Sequence, residues 1–320
     1  MLFIPTKDYL CTFNELNVNR SKVIIKVLLG LVFIVSAILK LIDMDKFELY
    51  IYSYHFFNLN FAFLVARAAI ILELVLGIGL VSNRFHKTTW WISMAMLAGY
   101  TLFLAYAQII GRTDNCHCFG ELVDFNPWQS ILKNLVLMGL FAIIYKMDEK
   151  RPKRPCLMLA SSVVLTSVIV FAVSPPDNFI PQRYFGENVN GELLAQALSE
   201  PPLSTYRLGE GRQMVCFFST QCEYCQLAAH KISLMQQHFS IPHGNITYVF
   251  IGTEEGIKEF YAKSESSEFR NVLYEDAVRL LKVIDGKFPT IVLVDNGSLV
   301  HEYGLHNMKE SEIKAFFTPQ

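Results

Sequence analysis

The sequence predicts an all-α bundle of transmembrane helices followed by an α/β domain. Three observations lead there. Five apolar stretches of membrane-spanning length lie before residue 174, strand-like and helix-like runs alternate after residue 205, and a proline-punctuated segment separates them. Hydrophobic types make up 52% of the 320 residues, charged types only 18%, and mean hydropathy is +0.32, which excludes an ordinary soluble protein. The net charge of −1, with basic residues gathered at the ends of apolar stretches, excludes a nucleic-acid-binding protein.

A bilayer crossing takes ~20 helical residues, and the candidate spans are 22–42, 61–81, 88–110, 128–145 and 156–173. The first is not expected to be a cleaved signal peptide, because a polar lead of about 20 residues precedes it and no small-residue cleavage site follows. Lys and Arg accumulate in alternate loops: Lys7, Arg20 and Lys22, then Arg84 and Lys87, then Lys146, Lys150, Arg151, Lys153 and Arg154. By the positive-inside rule the N-terminus is cytoplasmic, and the chain after residue 173 lies outside, in the periplasm where there is one. The expected order is therefore a cytoplasmic lead over 1–21, a four-helix membrane domain over 22–147 and a fifth transmembrane helix over 148–174. An extracytoplasmic linker over 175–204, with one short helical patch near 192–198, and the α/β domain over 205–320 follow.

On this topology two cysteine pairs share a compartment: Cys116-His117-Cys118, between the third and fourth spans, and Cys222-Glu223-Tyr224-Cys225. Seven cysteines leave at least one unpaired in any closed scheme. Cys11 and Cys156 fall on the reducing, cytoplasmic side and read as small apolar fillers. Cys216 reads as a buried strand residue.

Cys116 and Cys118 can close on each other only as a small strained ring, which makes an exchange-competent disulfide rather than a staple. A protonated His117 lowers a neighbouring thiol pKa. A structural bridge and a soft-metal site are the alternatives. Three consecutive residues rarely converge on one ion and no fourth ligand is evident, so no metal is assigned. Charged residues inside spans are costly and often functional. Glu73 is read either as a proton acceptor beside a quinone or as a hydrogen-bonded packing residue. Arg67 lies near it in the same span, and Lys40 and Lys133, near span ends, are expected to snorkel.

The Cys116-His117-Cys118-Phe119-Gly120 loop resembles that of the MauE/DoxX-type redox-associated membrane proteins, which are four-helix integral proteins. The run from Ile38 to Leu41 with Asp43 and Phe47 beyond it is similar too, as is the run from Glu73 to Gly77, whereas Lys133-Asn134 stands where Arg-Asn is common in that family. The resemblance covers roughly residues 20–147. It implies disulfide chemistry in the maturation of exported proteins, as in methylamine dehydrogenase assembly within methylamine metabolism.

In the soluble half, a strand over 212–218 leads to Cys-x-x-Cys and a helix over 223–238. A strand over 246–252, a helix over 254–263 and a helix over 274–283 follow. Two strands, 290–294 and 298–303, flank the two-residue hairpin signal Asn296-Gly297, and a helix over 309–317 closes the chain. A lone Cys-x-x-Cys is also half a zinc site, but no second pair follows at zinc spacing. Cys222 at a helix N-terminus gains from the exposed N–H groups and the dipole, which favour its thiolate. It is the expected attacking sulfur and Cys225 the resolving one. Glu223 beside it is expected to raise its pKa.

With Phe288-Pro289-Thr290 ahead of the hairpin, residues 205–320 resemble the thioredoxin fold. The resemblance implies that Pro289 is a cis-proline lying against the disulfide. Cys216 stands six residues before Cys222, where thioredoxins often carry a buried acid, which leaves the usual proton acceptor unassigned.

The chain is thus expected to be a membrane-bound thiol–disulfide oxidoreductase. Its partners would be exported thiol or disulfide proteins and the lipid bilayer. No cofactor is required in the soluble domain. No nucleotide-binding or haem-attachment motif is present, so the terminal electron carrier is a quinone at the membrane domain or another protein. An anchored thioredoxin with a passive helical platform, or a client-maturation factor, is the competing expectation.

Overall fold

The computed structural model describes residues 6–82, 86–112, 126–145, 155–177 and 189–318. The chain divides into two compact units, one holding residues 1–50 and 64–174, the other 51–63 and 175–320.

The first unit is all α: α1 (Thr6–Ile42), most of α2 (Met44–Tyr52), most of α3 (Leu59–Val81), α4 (His86–Ile109), α5 (Pro127–Ile144) and α6 (Pro155–Val173). Among the described residues four helical segments are long and apolar enough to cross a membrane: Arg20–Ile42, Leu59–Val81, Lys87–Ile109 and Pro127–Ile144. The expected fifth crossing is an apolar helix, but its described apolar part, Leu157–Val173, is shorter than the other four. α1 begins within the segment read as a lead, and α2 was not anticipated.

Local chemistry explains the boundaries. Asn126 caps α5 by accepting the Gln129 N–H, while the Gln129 side chain accepts the Asn126 N–H, and Pro127 opens the helix. α1 and α3 cross closely because both contact positions are glycine. A Cβ at Gly30 would stand 2.9 Å from the Gly77 carbonyl oxygen, and one at Gly77 would stand 2.9 Å from that of Gly30. Between α4 and α5, Trp90 Nε1–H donates to the Phe141 carbonyl at 2.8 Å.

The second unit is α/β. Its sheet has strands β1 (Arg212–Ser219), β2 (Ile246–Ile251), β3 (Arg270–Leu273), β4 (Thr290–Asp295) and β5 (Ser298–Tyr303), in the order β3-β2-β1-β4-β5. β1, β2 and β3 run parallel, while β4 and β5 are antiparallel additions. The helices are α7 (Gly191–Ser199), α8 (Glu223–Phe239), α9 (Glu254–Ser264), α10 (Ala277–Val283) and α11 (Glu310–Phe317). A central strand feeding the helix that carries Cys-x-x-Cys, followed by an antiparallel hairpin and a closing helix, is a thioredoxin-like domain.

The strand period of two sorts the core into two layers. Val215 and Phe217 of β1 join Val249, Val292 and Val294 on one face, against α7 and α10. Phe218, one residue on, packs on the other face with Tyr248, Phe250 and Phe260. Asn296 and Gly297 both take positive φ (48° and 79°), the pair a tight primed hairpin turn requires.

Three expectations are corrected here. The segment 175–204 is not simply a linker. Leu194, Ala197 and Leu198 of α7, with Leu203 after it, are buried in the sheet's core, and Asp177 pairs with Lys231 of α8. β3 was not anticipated. The helix expected from residue 274 begins at Ala277, because Asp276 caps it by accepting the Arg279 N–H, while Tyr274 N–H still donates to the Phe250 carbonyl.

Candidate redox site

β1 ends at Ser219, and the next residues turn sharply into α8. The Cys222 N–H donates to the Ser219 carbonyl at 3.1 Å, and Thr220 N–H donates to the Ile251 carbonyl of β2 at 3.1 Å. The turn is held from the side by two glycines. A Cβ at Gly252 (φ +152°) would stand 2.1 Å from Thr220 Oγ1, and one at Gly256 would stand 2.8 Å from it. Thr220, Gly252 and Gly256 therefore set where Cys222 sits, and sequence reasoning missed them. The one signal available was a glycine as the last residue of the predicted second strand.

Cys222 is the N-cap of α8, with extended backbone (φ −90°, ψ 113°), and its Sγ accepts the Cys225 N–H at 3.2 Å. Cys222 is partly exposed and Cys225 is buried. The two thiols differ accordingly. The Cys225 thiol hydrogen bond, aided by the backbone N–H groups of Cys225 and Tyr224, brings Cys222 from the usual 9.0 to about 7, against the opposing pull of burial and the Glu223 charge. Glu223 thus raises the Cys222 pKa as expected, but the hydrogen bonds at the helix start outweigh it. Burial, then the neighbouring Cys222, pushes Cys225 far above its ordinary value. One sulfur is a ready anion near neutrality and the other stays a thiol.

Pro289 precedes β4, and its bond to Phe288 is cis. Thr290 pairs with Phe217 in the β1–β4 register, so Pro289 lies at the end of the sheet from which Cys222 emerges. Tyr224, between the cysteines, is 59% exposed. Cys216 is fully buried beside Tyr248 on the neighbouring strand, and burial holds its thiol well above the usual range. It is a buried strand residue, as read from the sequence.

In the first unit Glu73 is not isolated. Lys40 Nζ lies 2.8 Å from both Glu73 carboxylate oxygens and donates to Ser36 Oγ at 2.7 Å. Lys40 was expected to snorkel, but it is only 3% exposed because this partner lies inside the bundle. Arg67 is buried too, paired with Glu48 and donating to the Ser174 carbonyl at 2.9 Å. Cys116, His117 and Cys118 lie outside the described residues. No cluster of metal-ligating side chains occurs among the described residues.

The fold and the pair together define a thioredoxin-like domain that carries Cys-x-x-Cys at a helix start and follows a bundle of apolar helices long enough to cross a membrane. Residues 19–147 match the family model of the methylamine utilisation protein MauE, the region where the sequence resemblance lay. The chain is similar to Protein TlpB of Flavobacterium psychrophilum, 24% identical over 301 residues, with 77% of this chain and 80% of that protein covered. Among solved structures it is similar to the thioredoxin domain of a thiol-disulfide oxidoreductase from Bacteroides vulgatus. That match is 19% identical, covers 35% of this chain and 83% of the other, and has a TM-score of 0.30. A thiol:disulfide interchange protein from Bacteroides sp. is 21% identical, with 35% and 76% covered and a TM-score of 0.29.

Proposed function

We propose that this chain catalyses thiol–disulfide exchange on exported proteins, with Cys222 as the attacking sulfur and Cys225 as the resolving one. The observation that carries the reading is the asymmetry of the pair: Cys222 is partly exposed at the helix start, where its Sγ accepts the Cys225 N–H and its pKa is lowered, while Cys225 is buried and its pKa is raised. A thiolate is the nucleophile in exchange. It attacks one sulfur of a substrate disulfide, forms a mixed disulfide and releases the other substrate sulfur as a thiolate. Cys225 then loses its proton and attacks Cys222, releasing the substrate reduced and leaving the Cys222–Cys225 disulfide. In reverse, the same two steps oxidise a substrate dithiol. Pro289, at that end of the sheet, is assigned to holding substrate backbone beside the pair.

Cys116 and Cys118 are assigned to relaying electrons to or from Cys222 and Cys225, with His117 favouring the thiolate of its neighbours. The charge pattern of the loops supports an extracytoplasmic thioredoxin-like domain, and with it a shared compartment for the two pairs. The MauE match supports a role in maturing exported proteins. Two electrons entering or leaving the relay need a carrier, and a quinone at the membrane domain is the one assigned.

The test uses the full chain in membranes. Cys222→Ser abolishes reduction of a small disulfide substrate, and Cys225→Ser accumulates mixed disulfides on Cys222. Cys116→Ser with Cys118→Ser slows recycling of the soluble pair by at least tenfold. Unchanged recycling in that double variant favours the second reading, an anchored thioredoxin whose helices are only a platform.

A further inference from the structure

We propose that residues 51–63, the turn between α2 and α3, are a docking strap of the thioredoxin-like domain, fastened by Glu310 to the helix that carries the redox pair. The proposal rests on the reading above that the helical half recycles that pair, and it gives that half a mechanical part in the exchange.

The chain passes between the two units at 50/51, 63/64 and 174/175, so the second unit is entered twice. The first visit is short and closely held. Asn58 caps α3, its side chain accepting the Phe61 N–H at 2.9 Å and its carbonyl the Ala62 N–H at 3.0 Å. The Leu59 N–H belongs to the same first turn, whose donors have no partner within the helix. Glu310, 251 residues further on at the start of α11, accepts it at 2.7 Å. The positive end of a helix dipole favours a carboxylate there. The other Glu310 oxygen accepts the Tyr52 hydroxyl at 3.2 Å. Burial, then the Glu310 charge, holds that phenol well above its usual range, so it remains a donor. One carboxylate thus grips the turn on both sides.

The rest of the grip comes from α8. The His55 ring lies 5.0 Å from that of His238 and stacks on Tyr52 at 6.3 Å. Lys231 Nζ stands 5.3 Å over the Phe63 ring while it holds Asp177. His238 and Lys231 both belong to α8. The helix that presents Cys222 therefore holds both stretches by which the chain enters this unit, 51–63 and the one carrying Asp177.

Burial and distance define what the strap does. Tyr52, Leu59 and Phe63 are exposed by 2% or less, which fits a standing attachment and not a lid that comes and goes. His238 lies a helix length from Cys222, about 24 Å at 1.5 Å per residue, so the strap leaves the attacking sulfur open. A domain fastened in this way samples less space than one swinging from a single junction. Its redox pair stays at a high effective concentration for partners on the same chain.

The test uses the full-length protein, in phosphatidylcholine nanodiscs for hydrogen exchange and in native membranes for recycling. Glu310→Ala is expected to speed exchange of the Leu59 amide at least tenfold. It should also slow recycling of the Cys222–Cys225 pair at least threefold, with the alkylation rate of Cys222 unchanged. Glu310→Gln, which keeps an oxygen for the Leu59 N–H, is expected to recover most of the recycling. Tyr52→Phe and His55→Ala carry the test if Glu310→Ala fails to fold, each with Leu59 exchange at least threefold faster. Wild-type exchange at Leu59 in every variant overturns the strap, and faster exchange with unchanged recycling overturns its part in the reaction. If instead Cys222→Ser still exchanges small disulfides, the oxidoreductase reading falls, and Leu59 exchange still decides the strap.

Discussion

A lysine–carboxylate pair is buried to a few per cent exposure in each unit, Lys231–Asp177 in the thioredoxin-like domain and Lys40–Glu73 in the bundle. The company each keeps is different. Lys231 also donates to the Leu305 carbonyl at 3.0 Å, and the other Asp177 oxygen accepts from His306 at 2.9 Å. Burial pushes the Asp177 carboxyl up, but Lys231 and His306 outweigh it and hold the group at about 2. The pair is held by these further partners, and it fastens Asp177 to α8. Lys40–Glu73 instead borders free space lined by a further lysine, a tyrosine and an asparagine. The same two functional groups are packed round by hydrogen-bonding partners in one unit and border a small cavity in the other.

The thiols sharpen the division of labour between the units. Cys222→Ser should reduce exchange by more than about a thousandfold, since Cys222 is partly exposed while Cys216 and Cys225 of the same domain are buried. Residual activity within tenfold of wild type would move the chemistry out of the soluble unit.

The Lys231–Asp177 pair comes next. Asp177→Asn leaves Lys231 buried without its counter-charge and should destabilise the soluble domain by about 3 kcal/mol, measured by denaturant unfolding. The sign of its pH dependence follows from a lowered carboxyl pKa. The stabilisation is fully present above the unfolded value near 3.8 and is lost as pH falls toward about 2. Lys40→Met should leave unfolding of the soluble domain unchanged, and an equal loss of stability there would erase the contrast between the two pairs.

A smaller effect concerns Cys222 itself. Its alkylation rate in the reduced protein should rise with pH through a midpoint of about 7, and Glu223→Gln should move that midpoint lower. A midpoint near 9 would remove the asymmetry between the two sulfurs. The smallest effect is expected at Cys216, where Cys216→Ala should leave the midpoint in place and cost only core packing, about 1 kcal/mol.

What the sequence made legible was local. Cys222 at a helix start, Cys225 one turn inside, and the Asn296-Gly297 hairpin are encoded within a few residues each, as are four apolar stretches of spanning length. The thioredoxin-like order of elements followed from those. What it hid was long-range or quiet. Lys40 and Glu73 are 33 residues apart, and Asp177 and Lys231 are 54. Nothing in the periodicity pairs them, so Lys40 was assigned to the interface and Asp177 to a tether. The prolines around α7 outweighed its buried Leu194 and Leu198, and the strand Arg270–Leu273 is only four residues long, with polar Arg270 and Asn271 at its start. Thr220 carries no motif. Its role comes from glycines 32 and 36 residues downstream that leave it no other place to lie.

The most direct test of the central claim is to trap the exchange intermediate in native membranes. Full-length Cys225→Ser protein is quenched with acid, alkylated and mapped by mass spectrometry. Mixed disulfides on Cys222, joined to exported proteins and to Cys116 or Cys118 of the same chain, are the predicted result. A Cys222 recovered free and alkylated, with no disulfide-linked partner, would contradict the account.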